Sequence, residues 1–136
     1  RAARVIDREL GKTFGRHGIE DRMYDVLASL RRVGAPHELT AGELVRHCMI
    51  TTGALTNRID RLEERHLVER LPSPTDRRSV IIHLTDEGLQ LVDLVATTHL
   101  ETERRLISGL GERQRHSLVT LLRTLALDLG DDDTPN

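Results

Sequence analysis

Residues 40–62 read TAGELVRHCMITTGALTNRIDRL, and the spacing of polar and apolar groups in this stretch decides the fold. Thr40 with Glu43 three residues on is a capping box, which predicts a short helix running to about Cys48. Thr51 or Thr52 opens a second helix, predicted to end near Arg65. In it Leu55, Ile59 and Leu62 recur at the spacing that turns one helical face inward. Only Met49 and Ile50 separate the two helices, so they must turn sharply against each other. Two short helices joined this tightly are the signature of a helix-turn-helix.

Downstream the period changes. Val68 to Leu71 reads as a strand, and Pro72, Ser73, Pro74 and Thr75 prevent any helix from continuing. Val80, Ile82 and Leu84 then alternate with Ser79, Ile81 and His83, which predicts a two-stranded β-hairpin tipped by Asp76-Arg77-Arg78. A hairpin directly after a helix-turn-helix is a wing. Neither Pro72 nor Pro74 suits a central strand, but both suit a stiff wing.

Helices flank this head. Residues 2–16 carry Val5, Ile6, Leu10 and Phe14, and residues 20–33 carry Met23, Val26, Leu27, Leu30 and Val33 before Gly34-Ala35-Pro36 stops the second helix. Thr85 caps a long helix to about Ser108, and Gly109–Gly111 separates it from a last one, 112–129, with Leu118, Leu121, Leu122, Leu125 and Leu129. The fold class expected is mainly α with a small β-hairpin. Residues 1–136 are read as a single winged helix-turn-helix domain, its head at about 37–84. Helices 2–16, 85–108 and 112–129 hold more leucine than a small head can cover, and such a face calls for a partner subunit. A homodimer is expected.

The net charge of −2 argues against nucleic acid at first sight, but the charge is unevenly spread. Residues 1–36 hold 8 Lys/Arg against 5 Asp/Glu, residues 37–84 hold 7 against 7, and residues 85–136 hold 5 against 10. A balanced middle still supports a basic face, because affinity for phosphate depends on where the arginines point. With one Phe, one Tyr and no Trp, the chain lacks aromatic platforms for single-stranded bases, so any nucleic-acid partner is duplex DNA. No apolar run is long enough to span a bilayer, and the charged opening residues are unlike a signal peptide. The single Cys48 rules out an internal disulfide framework and fits a reducing cytosol, so a cytoplasmic location is expected. The sequence opens at Arg1 rather than Met, so further residues upstream are expected.

Residues 51–62 offer an outer face of Gly53, Thr56, Asn57, Asp60 and Arg61, preceded by Thr51 and Thr52. Small side chains let a backbone come close, Thr hydroxyls and first-turn amides suit phosphate, and an Asn amide can read adenine. An amphipathic helix always has a polar outside; the wing that follows is what gives this one a use. At the wing tip Arg77 and Arg78 suit a narrow minor groove, with Asp76 placed to hold one guanidinium. The expected DNA-contacting set is Thr51, Thr52, Gly53, Thr56, Asn57, Arg61, Asp76, Arg77 and Arg78.

Several segments together resemble the MarR family of regulators: Leu39-Thr40-Ala41-Gly42-Glu43-Leu44, residues 51–67, Val68-Glu69-Arg70, and Asp76-Arg77-Arg78-Ser79-Val80 running into Leu84-Thr85-Asp86-Glu87-Gly88. The resemblance covers nearly the whole chain. It implies a triangular dimer held by the first and last two helices, Arg78 in the minor groove with Asp76 orienting it, and residues 51–58 in the major groove. A finer similarity, to the urate-responsive branch, implies an effector pocket in which Asp25, Arg58 and Arg70 take part. Arg58 falls on the inward side of its helix, where a guanidinium needs a carboxylate or an anionic ligand, whereas Asp25 lies off its helix's apolar stripe. That branch also uses a Trp, and this sequence has none. Structural salt bridges stand as the alternative to such a pocket.

The function expected is a sequence-specific double-stranded DNA-binding regulator on a pseudo-palindromic operator, a repressor released by a small anionic ligand, urate-like or an aromatic acid. Two alternatives stay open: a redox-sensing regulator acting through Cys48, and a winged-helix protein-interaction module. Cys48 also reads simply as a small core residue after Leu44 and Val45. No nucleophile elbow, phosphate loop or metal-ligand spacing is present, so neither enzyme activity, nor a cofactor, nor a metal is expected. The seven histidines are scattered, and His47 beside Cys48 is the one pairing of note. The acidic run Asp131-Asp132-Asp133 is expected to be a disordered end.

Overall fold

The boundaries of α3 and α4 follow from local caps that the computed structural model, which describes residues 1–130, makes explicit. The order is α1 (Ala2–Arg16), α2 (Asp21–Arg32), β1 (Glu38–Thr40), α3 (Ala41–His47), α4 (Thr52–Glu64), β2 (Val68–Pro72), β3 (Val80–Leu84), α5 (Asp86–Leu106) and α6 (Glu112–Asp128). The run Asp131-Asp132-Asp133 lies outside the described residues. The chain divides into two compact units, Arg1–Thr102 and a second starting at Glu103.

In the first unit the capping box at Thr40 is complete. Its hydroxyl accepts from the Glu43 amide at 3.2 Å, and Glu43 Oε2 accepts from the Thr40 amide at 2.7 Å. Those bonds to Thr40 hold the Glu43 pKa below its ordinary value. The turn after α3 closes with the Met49 amide on the Arg46 carbonyl and the Ile50 amide on that of Val45, the two bonds of a Schellman motif. Met49 takes the left-handed position at φ 49, which usually falls to glycine, and is 74% exposed. α4 ends the same way, with His66 at φ 57 and the Leu67 amide on the Leu62 carbonyl.

The sheet corrects the two-stranded expectation. It has three strands in the order β1-β3-β2, all antiparallel, with Leu39 opposite Ile82 and Arg70 opposite Ile82 on the other side. β1 escapes sequence reading because three residues between Pro36 and the cap of α3 are too few to show an alternating period. Pro72 belongs to β2, an edge strand, where a missing amide costs least.

The core gathers Val26, Leu27 and Leu30 from α2, Leu44 from α3, Leu55, Ile59 and Leu62 from α4, Val68, Ile82 and Leu84 from the sheet, and Val92 and Val95 from α5. Phe14 joins from α1, whereas Val5 and Ile6, read as part of that helix's apolar face, are exposed. A buried hydrogen bond between the Thr13 and Thr102 hydroxyls, 2.8 Å, ties α1 to α5. In the second unit α6 leaves Leu118, Leu121, Leu122 and Leu125 exposed, Leu121 to 68%.

One junction fixes the wing to α4. The Thr85 hydroxyl donates to the His66 carbonyl at 2.7 Å and accepts from the Gly88 amide at 3.0 Å, while the Thr85 amide donates to the Leu67 carbonyl at 3.2 Å. A Cβ on Gly88 would stand 2.1 Å from the Leu67 carbonyl oxygen and 2.7 Å from Leu84 Cδ1. Backbone on one side and core on the other leave it nowhere to go. Gly88→Ala is therefore expected to destabilise the protein by about 2–3 kcal/mol, despite alanine's better helix propensity. Urea unfolding followed by circular dichroism measures it; an unchanged midpoint would show that the junction yields.

Candidate nucleic-acid interface

α4 buries Leu55, Ile59 and Leu62 and exposes Thr52, Gly53, Thr56, Asn57, Asp60 and Arg61. Its N-terminus is open. The Thr51 hydroxyl accepts from the Ala54 amide at 3.2 Å and the Thr51 carbonyl takes the Leu55 amide, which leaves the Thr52 and Gly53 amides without an acceptor inside the helix. With the positive end of the helix dipole, they make a site for an anion. A Cβ on Gly53 would meet nothing within 4 Å, so no packing inside the chain requires glycine there. Thr56 donates its hydroxyl hydrogen to the Thr52 carbonyl at 3.0 Å, and Asn57 stays exposed.

Arg61, expected on the outer face, is exposed and reaches back to Glu20 at 3.2 Å, a carboxylate it shares with Arg22. Arg65 donates to the Gly18 carbonyl at 2.8 Å. These partners precede α2, and no local pattern links them to α4.

The wing tip is a braced turn. Ser73 Oγ accepts from the Asp76 amide at 3.2 Å, and the Ser79 amide donates to the Asp76 carbonyl at 3.0 Å. Asp76 was expected to hold a guanidinium; instead its Oδ1 accepts from the Arg78 amide at 2.9 Å. A short carboxylate reaches its own backbone two residues on more readily than a distant side-chain head. Asp76 thus shapes the loop, and the exposed Arg77 and Arg78 guanidinium groups have no ion-pair partner among the described residues.

The model of the MarR family matches residues 17–79, the span from the end of α1 to the wing tip. The transcriptional regulator PecS of Dickeya dadantii is 42% identical over 122 residues, 90% of this chain and 74% of that protein. This chain belongs to the MarR family. Among solved structures, a mutant MarR from E. coli complexed with operator DNA superposes with a TM-score of 0.81 at 28% identity, covering 91% of this chain and 87% of that one. BpsR of Bordetella bronchiseptica, whose DNA binding is regulated by 6-hydroxynicotinic acid, gives 0.79 at 25% identity, covering 93% of each chain. With them the mainly helical, winged helix-turn-helix fold of this MarR-family chain is established.

A cleft of about 420 Å³ is walled by Tyr24, Asp25, Ser29 and Arg32 of α2, Cys48 and Met49 of the turn, and His99 of α5. A second, of about 270 Å³, shares Tyr24, Asp25 and His99 with it and is closed by Leu10 and Phe14 of α1. Phe14, Tyr24 and His99 form a ring cluster with centroids 5.1–5.7 Å apart. Arg58 Nη1 is buried with no hydrogen-bond partner among the described residues. Of the three residues expected at an effector pocket, only Asp25 lines the clefts; Arg58 is its electrostatic neighbour but lines neither, and Arg70, bonded to Asp60 and Glu63, lines neither as well. Tyr24 and His99 were not foreseen; no sequence signal joins positions so far apart.

Protein packed around the Asp25 carboxyl raises its pKa above the ordinary 3.8, and Arg58 only partly offsets this. Burial likewise raises the Cys48 thiol, against the pull of a 3.8 Å contact with the Ser29 hydroxyl. A folded-state pKa above the unfolded one means that ionised Asp25 opposes folding once the pH exceeds about 3.8. Asp25→Asn should therefore raise the melting temperature at pH 7, and the gain should shrink to nothing as the pH falls below that value. Melting curves across pH check the sign; a lower melting temperature at pH 7 would contradict it.

Proposed function

We propose that this MarR-family chain acts as a dimeric, double-stranded DNA-binding repressor released by a small planar anion. The observation that carries the DNA reading is the pairing of an open-ended α4, with its Thr52 and Gly53 amides unclaimed, and a braced wing that holds out two unpaired arginines. In this reading Thr51, Thr52, Gly53, Thr56, Asn57 and Arg61 address a major groove, and Arg77 and Arg78 the adjacent minor groove. Asp76 keeps the wing tip in shape. The exposed leucines of α6, with helices 2–16 and 85–108, supply the dimer contact, which sets two heads about 34 Å apart on a pseudo-palindromic operator. The MarR–operator complex and the fold shared with it support the reading.

For release, the cleft lined by Tyr24, Asp25, Arg32 and His99 offers aromatic walls and a guanidinium, and Arg58, an electrostatic neighbour of Asp25, keeps a buried nitrogen without a partner among the described residues, the chemistry that suits a urate-like or aromatic acid. BpsR, regulated by an aromatic acid, supports this choice of ligand class. The ligand shifts the equilibrium only through tighter binding to the conformation that does not fit DNA. A redox switch through Cys48 is less well supported, because the raised thiol pKa works against the reactive thiolate.

Arg78→Ala should weaken binding to every duplex and flatten the plot of log affinity against log salt by about one phosphate contact, roughly 0.9 in slope. Gly53→Ala should stabilise the fold by about 0.5–1 kcal/mol while weakening DNA binding, since only an outside surface would feel the methyl. Anisotropy titrations and melting curves on the same variants measure both; no binding by wild type at low salt would favour a protein-interaction module. Thermal-shift screening with urate and hydroxylated aromatic acids should raise the melting temperature of wild type but not of Arg58→Ala, and equal shifts in both would remove Arg58 from the site.

A further inference from the structure

The recognition face of α4 contains a group that works against DNA. Asp60 lies one turn beyond Thr56 and Asn57 on the same exposed surface, and Glu63 follows three residues on. Left alone, two carboxylates there would repel phosphates brought against that face. Arg70, on the edge strand β2, meets both. Its Nη2 donates to Asp60 Oδ1 at 2.6 Å, its Nη1 donates to Glu63 Oε2, and its backbone amide donates to Glu63 Oε1 at 3.1 Å. One guanidinium thus closes on both carboxylates while Glu63 occupies an amide that β2 would otherwise leave bare. Arg70 remains 33% exposed and its partners more so, and ion pairs this open to water add little to folding.

We infer that Arg70 is a positioning and charge-masking residue of the DNA interface: it offsets one of the two negative charges of Asp60 and Glu63 and fixes the first wing strand to the recognition helix. The inference rests on the DNA-binding reading above and assigns Arg70 to that surface instead of to a ligand pocket. Its two carboxylate partners already offset the positive charge that a small anion would seek. Direct contact with phosphate and masking of acids both predict weaker binding when Arg70 is removed, but only masking predicts recovery when the acids are removed as well.

The test uses anisotropy titration of a mixed-sequence duplex of about 30 base pairs over a range of salt, with melting curves as a check on folding. Arg70→Ala should weaken binding on the order of tenfold at low salt, with a small change in melting temperature. Adding Asp60→Asn and Glu63→Gln to Arg70→Ala should restore affinity to within about threefold of wild type. Asp60→Asn with Glu63→Gln in the presence of Arg70 should bind more tightly than wild type and show a steeper salt dependence, because the guanidinium is freed. That variant keeps the inference open to refutation even if Arg70→Ala fails to fold. A triple variant as weak as Arg70→Ala overturns masking in favour of direct contact, and so does a double variant that binds no more tightly than wild type. Undiminished binding by Arg70→Ala overturns both. Failure of wild type to bind the duplex removes the DNA reading itself, an outcome distinct from all of these.

Discussion

The carbonyl groups of His66 and Leu67 are where recognition helix and wing become one object. His66 stands in the left-handed conformation, so the backbone leaves α4 abruptly and presents both carbonyls to the start of α5. Thr85 answers with its hydroxyl and its amide, and Gly88 lets the α5 backbone press against Leu67. Because Thr85 directly follows β3, this contact fixes the return strand of the wing relative to the end of α4, and the hairpin can only project from there. Without that junction the arginines of the wing tip would be on a tether, and ordering them on a ligand would cost conformational entropy each time.

Charge follows the same logic of fixed position. A chain with net charge −2 keeps a cationic surface only by arranging which of its arginines are spent internally. Arg61 turns to Glu20, Arg65 to the Gly18 carbonyl, Arg70 to Asp60 and Glu63, and Arg31 to Asp93. The wing-tip pair is left with exposed heads, and the one nearby acid, Asp76, is committed to the backbone of its own turn. The acid that looked in sequence like a partner for a guanidinium makes no ion pair with either arginine among the described residues.

The helices α3, α4 and α5 were legible because each carries its own start signal. The Thr40–Glu43 box, the Thr51 cap and the Thr85 cap all fall where the sequence places them, and the buried Leu55, Ile59 and Leu62 follow their spacing. β1 was not legible, since three residues hold no period and their pairing with β3 is settled by tertiary contact. The outer face of α4 was readable as a surface, but the partners of Arg61 and Arg70 were not. Glu20 is far along the chain, and the reach of Arg70 across to α4 depends on how β2 leaves the helix. The cleft was half legible: Arg58 was placed on the inward side by spacing alone, but Tyr24 and His99 meet only through the packing of α2 against α5.

That cleft runs against the interest of stability. Asp25 is held where ionisation costs free energy, Arg58 keeps a buried donor unsatisfied, and Met49 occupies a backbone region that glycine would enter without strain. Asp25 and Met49 line the cleft, and Arg58 is an electrostatic neighbour of Asp25 and Cys48. A core built only for folding would fill this space with aliphatic side chains and place glycine in the turn. Unrelieved costs so close together are what a site needs if a ligand is to supply the missing partner, because binding then relieves in one state a penalty that the other retains. In the proposed ligand-release reading, the free energy for moving α4 would come from that difference, and the turn at Met49 borders the cleft and leads directly into the cap of α4.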